Sequence, residues 1–160
     1  MAATSFRLRI VTPERLLLDE EVEEVIAPGV AGEFGVLPDH ITFLTTLAPG
    51  RLMYRSGGQR HVMAVFGGYA EVAENVMTVL ADGAEPARQI DLELARRACR
   101  EAEGALAAID LDAPAYTLAR RALDRQTARV AAASEKLSGW GSRHLAELGK
   151  FLGDVTQSRT

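Results

Sequence analysis

The chain has 160 residues, 48% of them apolar and 25% charged, a composition that suits a globular fold and excludes a disordered or low-complexity chain. No apolar run approaches the ~20 residues that span a bilayer, which argues against direct membrane insertion. The net charge is −4 and no aromatic residues are interleaved among the arginines, which argues against nucleic acid as a partner.

The charge is unevenly placed. Residues 1–85 hold six basic and twelve acidic side chains, whereas residues 86–160 hold twelve and ten. The first part is rich in Val, Gly and Thr, the second in Ala and Arg. This shift puts a boundary near Glu85-Pro86. The expected division is a strand-rich unit over 1–85, a helical hairpin over 86–138, and a short helix with a polar tail over 139–160 to which no role is assigned. Cys99 is the single cysteine, so no internal disulfide forms, in keeping with a reducing compartment. Met1 to Ser5 lack a basic n-region and lead into no long apolar stretch, so export is not expected.

In chain order, Phe6 to Thr12 alternates apolar and polar residues at the period of a half-buried strand. Pro13-Glu14 turns the chain. Leu16 to Leu18 is too short to classify alone. Glu20 to Ile26 reads as a second strand, with Val22, Val25 and Ile26 inward and an acidic, solvated outer face. Pro28-Gly29 ends it. Gly32-Glu33-Phe34-Gly35-Val36-Leu37-Pro38-Asp39-His40 then reads as a tight corner with its tip in water. Ile41 to Leu47 follows as a strand, stopped by Ala48-Pro49-Gly50. Arg51 to Arg55 and Arg60 to Phe66 flank the Ser56–Gln59 loop of a hairpin. Gly67-Gly68 marks a bulge or a close backbone approach. Tyr69 to Ala73 and Val76 to Ala81 flank a last tight turn at Glu74-Asn75. About eight to ten short strands at this spacing make an antiparallel sandwich or barrel.

Beyond Pro86 the period changes to 3.6. Asp91 is a fair N-cap and Glu93 meets the positive helix end. Leu94, Ala98, Ala102, Leu106 and Ile109 repeat on one face. Asp110 to Ala113 breaks this helix, and Pro114 suits the first position of the next. In the second helix Ala115, Ala119, Ala122, Gln126, Val130, Ala133 and Leu137 line one stripe. The short break makes the pair an antiparallel hairpin. His144 to Leu152 suits a short amphipathic helix. The fold class is therefore α+β, a sandwich followed by a helical hairpin. The hairpin's packing faces are mostly alanine. A buried methyl contributes ~0.8 kcal/mol against ~1.5–3 for a buried Leu or Phe, so the two helices are expected to be individually good and weakly held.

Chemistry is scarce. His40, His61 and His144 have no Cys or His at metal-ligand spacing, there is no G-x-S-x-G and no phosphate-binding G-x-x-x-x-G-K-[ST] loop. Cys99 reads as a small buried thiol in an Ala-rich helix. No catalytic residue and no metal site is expected. From Pro114 to Leu137, Arg120, Arg121, Arg125, Arg129 and Lys136 face only Asp124 and Glu135. They form either an ordinary solvated face or a surface that docks on an acidic protein or a phosphate group.

The corner G-E-F-G-V-L-P-D-H at Gly32 to His40 resembles the signature corner of the epsilon subunit of F-type ATP synthase. Phe66-Gly67-Gly68-Tyr69-Ala70-Glu71-Val72 and Thr78-Val79-Leu80-Ala81-Asp82 are similar to two further runs of that family, and Ile90-Asp91 opens the first helix as there. The resemblance covers about residues 5 to 137. Asp39 departs from it, standing where the family commonly has Gly. The resemblance implies a non-catalytic rotor subunit on the cytoplasmic face of a bacterial membrane. Its sandwich would bind the gamma shaft, and the corner with Glu33, Phe34 and His40 would face gamma and the polar loops of the c ring. Its hairpin would rest on the sandwich or rise toward the alpha/beta subunits to block hydrolysis, docking through Arg121, Arg125 and Arg129. Some members bind ATP in the lowered hairpin. Glu85, Ile90, Asp91, Ala95, Arg121 and Arg125 match that pattern, while Leu94 stands in place of an Arg and Glu101 in place of a basic residue. No bound cofactor is expected, and ATP as an effector only weakly. The alternative is an unrelated sandwich module whose basic hairpin recruits an acidic protein.

Overall fold

The computed structural model describes residues 4–137. The expected helix at 144–152 and the polar tail lie outside them. Eight strands precede two helices: β1 (Phe6–Val11), β2 (Leu16–Val22), β3 (Glu24–Gly29), β4 (Gly32–Val36), β5 (Phe43–Ser56), β6 (Gln59–Ala73), β7 (Val76–Ala81), β8 (Ala84–Pro86), α1 (Leu92–Ala107) and α2 (Pro114–Leu137). The strands form one path, β2-β1-β7-β6-β5-β3-β4, with β8 continuing the line of β7 along β6. They close around a core of Phe6, Leu8, Ile10, Val22, Val25, Leu52, Val65, Val72, Met77 and Val79, each at most 2% exposed.

Three boundaries differ from the sequence reading. The stretch read as one strand over 20–26 is two, because the chain bends at Glu23. Val22 pairs with Phe6 on one side of the bend, and Val25 pairs with Val36 and Tyr54 on the other. Leu16 to Leu18 belong to the first of the two. Conversely, the stops read at Ala48-Pro49-Gly50 and Gly67-Gly68 do not end their strands. β5 and β6 run through them in unbroken register, from Phe43 opposite Val72 to Ser56 opposite Gln59.

What changes at those residues is the face that is buried. Met63 and Val65 point into the core before the glycines, and Ala70 and Val72 after them, a switch from odd to even positions. Gly67 and Gly68 have φ of 97° and 119°. A Cβ on Gly68 would lie 2.0 Å from the Leu80 carbonyl oxygen, so only glycine lets the backbones approach so closely. Pro49 sits where the β3–β5 ladder is irregular, between Ile26 and Gly29, a place where a residue without an N–H is tolerated. The β5–β6 hairpin closes on Gly57 and Gly58, with φ of 57° and 74°, the signs of a type I′ turn.

The helices pack onto this frame unequally. Asp91 caps α1, its side chain accepting from the Leu94 N–H at 2.9 Å. α1 runs antiparallel to α2, with Cys99 Sγ 3.7 Å from Thr127 Oγ1 and half-buried rather than fully enclosed. α2 is the helix that lies on β5 and β6. The interface is a second small cluster of Ala64, Ala87, Ile90, Ala95, Ala132 and Ala133. Leu94, read as inward, is 58% exposed; Ala95 takes its place. In α2 the expected stripe holds at its C-terminal end, where Ala133 is buried and Val130 half-buried, while Ala115 and Ala122 face water; Ala128 and Ala132, outside that stripe, are buried beside Ala133.

Candidate functional site

Two surfaces carry the residues singled out in the sequence: the corner around β4, and the seam between α2 and the sandwich. The corner is not one tip. Gly32–Val36 is an edge strand paired with β3, and the turns lie before it at Val30-Ala31 and after it at Pro38-Asp39. Asp39 has φ of 61° and donates its N–H to Asn75 Oδ1 at 2.9 Å. This left-handed conformation is where glycine is easiest and Asp tolerable, which accounts for the departure noted above. Asn75 is itself held, its Nδ2 donating to the Ser5 carbonyl at 2.9 Å.

Strand alternation separates the three corner residues. Phe34 meets Phe43 edge to face at 5.2 Å between centroids, and His40 meets the same ring at 6.1 Å. His40 Nδ1 donates to the Ile41 carbonyl at 2.8 Å. Glu33, one residue from Phe34, points to the other face, where its Oε2 lies 3.7 Å from Arg51 Nη2. It is not an isolated tip carboxylate. The nearby surface bears Leu37, Ile41 and Leu44, all exposed.

At the seam, Arg51 also reaches α2. Its Nη1 donates to Glu135 Oε2 at 3.0 Å, and Arg60 pairs with the other oxygen of Glu135. One turn and a half earlier, Arg129 forks onto Glu85, Nε to Oε2 at 2.9 Å and Nη2 to Oε1 at 3.5 Å, and its Nη1 donates to Gln126. Arg125 lies over the Phe66 ring, 4.4 Å from its centroid, a cation–π contact worth ~0.5–1 kcal/mol where exposed. Arg121 is exposed and, with Arg125, Asp82 and Tyr69, borders an open cleft of about 630 Å³ above Gly67-Gly68.

The structure therefore brings Glu85, Arg125 and Arg129 to one seam, and leaves Asp91 as a helix cap and Arg121 at the cleft. Glu85 and Asp91 do not line that cleft. Arg51, Arg60 and Glu135 were not singled out in the sequence. No local pattern could have found them, because they meet across separations of 75 to 84 residues.

The acidic β2 is not simply solvated. Arg7 Nε donates to Asp19 at 2.6 Å, and this hydrogen bond holds the Asp19 carboxyl below its ordinary range. Tyr54 stacks on His61 at 4.8 Å, and burial pushes its hydroxyl up. Among the described residues no group of three His, Cys, Asp or Glu is placed to hold a metal ion, and no helix is long and apolar enough to cross a membrane.

Comparison with known proteins follows the same lines. The family model described as "ATP synthase, Delta/Epsilon chain, beta-sandwich domain" matches residues 5–87. The ATP synthase epsilon chain of Nitratidesulfovibrio vulgaris strain DP4 is 49% identical over 126 residues, covering 79% of this chain and 93% of that one. That of Syntrophobacter fumaroxidans is 46% identical over 133 residues, covering 83% and 98%. Among solved structures, a chain of the Euglena gracilis mitochondrial ATP synthase (OSCP/F1/c-ring, rotational state 1) superposes with a TM-score of 0.69 at 25% identity, over 79% of this chain and 81% of that one. A chain of the Tetrahymena thermophila mitochondrial central stalk/c-ring shares the fold at a TM-score of 0.56 and 16% identity, over 86% of this chain and 100% of that one.

Proposed function

The chain belongs to the ATP synthase epsilon-chain family and so is a component of that synthase; within it, we propose, it is a non-catalytic subunit of the central stalk. The sandwich is the anchoring part, meeting the gamma shaft and, through the β4 corner, the polar loops of the c ring. The hairpin is the movable part, which restrains ATP hydrolysis when it leaves the sandwich and reaches the alpha/beta subunits. The site of action is the cytoplasmic face of a bacterial membrane, reached as a peripheral part of the complex.

The observation that carries this reading is the division of packing. The sandwich has its own core of large side chains. The hairpin holds to it by an alanine seam and a few ion pairs. At ~1.5 Å per residue, the 24 residues of α2 make a rod of about 36 Å, long enough to carry its basic face well away from the sandwich. Arg125 and Arg129 are engaged in the lowered state, so docking on an acidic partner would exchange Phe66 and Glu85 for that partner. Arg121 is already exposed. The test is ATP hydrolysis by the assembled complex with the full chain and with a chain lacking residues 86–160. Faster hydrolysis without the hairpin is expected; equal rates would remove the restraining role.

For ATP as an effector, we propose weak binding. Glu85 is already paired with Arg129, Asp91 is committed to the cap, and an exposed Leu94 offers no guanidinium. A missing charge-assisted hydrogen bond is worth ~1.5–3 kcal/mol, or about ten- to 150-fold in affinity. Calorimetric titration of the isolated chain should give no low-micromolar dissociation constant; finding one would overturn this reading.

A further inference from the structure

Glu135 is the only carboxylate of α2 seen in an ion pair with the sandwich among the described residues, and two guanidiniums hold it from different strands, Arg51 on β5 and Arg60 on β6. Arg51 does not serve Glu135 alone. Its second amino group faces Glu33 on the edge strand β4, so one cation lies between the corner and the hairpin. All four side chains are roughly one-fifth to one-third exposed. Their charges are therefore screened less than on an open surface.

From this geometry we infer that Glu33 controls how firmly the hairpin is held, through Arg51. With Glu33 ionised, Arg51 faces two carboxylates, Glu33 and Glu135, and divides its charge between them. Neutralising Glu33, or matching it with a cation from a partner, leaves both guanidiniums to Glu135 and removes the repulsion between the two carboxylates. The hairpin is then bound more tightly. By linkage, a lowered hairpin favours a cation at Glu33 and a raised hairpin disfavours it by the same factor. The corner and the hairpin thereby report on each other without any movement of the sandwich core. The physiological occupant of the corner rests on the function proposed above, but the link is a property of the isolated chain and is tested there.

Ala132 lies fully buried on the face of α2 that meets the sandwich, so its exposure reports hairpin opening. The experiment follows thiol labelling of A132C in the full chain with Cys99→Ser, and of Ala64→Cys, buried on the sandwich side, as a second reporter should the first fail to fold. Glu135→Gln should speed labelling by tenfold or more, as expected for loss of a charged hydrogen-bond partner. Glu33→Gln should slow it about fivefold, the upper range for a partly exposed charge pair. In the Glu135→Gln background Glu33→Gln should have no effect, and in an Arg51→Met background its effect should shrink to the direct repulsion between the two carboxylates. The Glu33 effect should also weaken at ~1 M salt, where screening acts within about 3 Å. Equal or faster labelling of Glu33→Gln, or an undiminished effect without Glu135 or Arg51, would overturn the link. Binding to gamma and the ring is not part of the readout, so its failure would leave this result standing.

Discussion

The sandwich and the hairpin answer the same problem with different materials. The sandwich buries Phe6, Leu8, Ile10, Leu52 and Met77 to 2% exposure or less, each worth ~1.5–3 kcal/mol by area. The hairpin buries mainly methyl groups, of Ala64, Ala87, Ala95, Ala132 and Ala133, with Ile90 as the one large fully enclosed side chain. Alanine gives α2 its helical propensity without much adhesion. What adhesion lacks in area, ion pairs supply: Glu135 with Arg51 and Arg60, and Arg129 with Glu85. The lesson is that a helix can be stable as a helix and still be detachable as a body.

The largest expected contrast comes from truncating each core. Leu52→Ala should cost ~2–5 kcal/mol of global stability, because it leaves a cavity in a closed sandwich. Ala132→Gly should cost only about 1–2 kcal/mol, from a methyl and the helix penalty of glycine, and should fall on the hairpin alone. Denaturant unfolding followed by signals from strands and from helices separates the two. A shared midpoint that shifts equally for both variants would break the comparison.

A smaller effect sharpens it. Arg129→Met removes the fork onto Glu85, where both side chains are about one-quarter exposed. The loss should be about 1 kcal/mol, discounted for solvent screening. It should appear as easier hairpin opening with the sandwich midpoint unchanged. A drop in the sandwich midpoint of the same size would mean that the seam belongs to a single cooperative core.

Much of this division was legible in the sequence, since the change from a period of two to one of 3.6 beyond Pro86 marks it. Gly67-Gly68 also announced a close approach. What the pattern misplaced were the strand ends at Ala48-Pro49-Gly50 and Gly67-Gly68. There the buried face switches parity while the hydrogen-bond register continues, and a reading based on alternation sees an end. Leu94 was misplaced because an Ala-rich helix offers several stripes of nearly equal hydrophobicity, and the fold chose Ala95. Glu33 was read as a turn tip because glycines flank it, yet those glycines lie within an edge strand. The Arg51–Glu135–Arg60 cluster was illegible, since ion pairs between distant elements leave no periodic trace.

Native-state hydrogen exchange on the full chain tests the central claim most directly, because it reads the opening free energy of each region separately. The hairpin amides of α1 and α2 should exchange through an opening several kcal/mol less costly than the one that exposes β1, β6 and β7, and Glu135→Gln should lower the first value while leaving the second unchanged. Equal opening free energies in helices and strands, falling together in the variant, would contradict the account of a detachable hairpin on a self-sufficient sandwich.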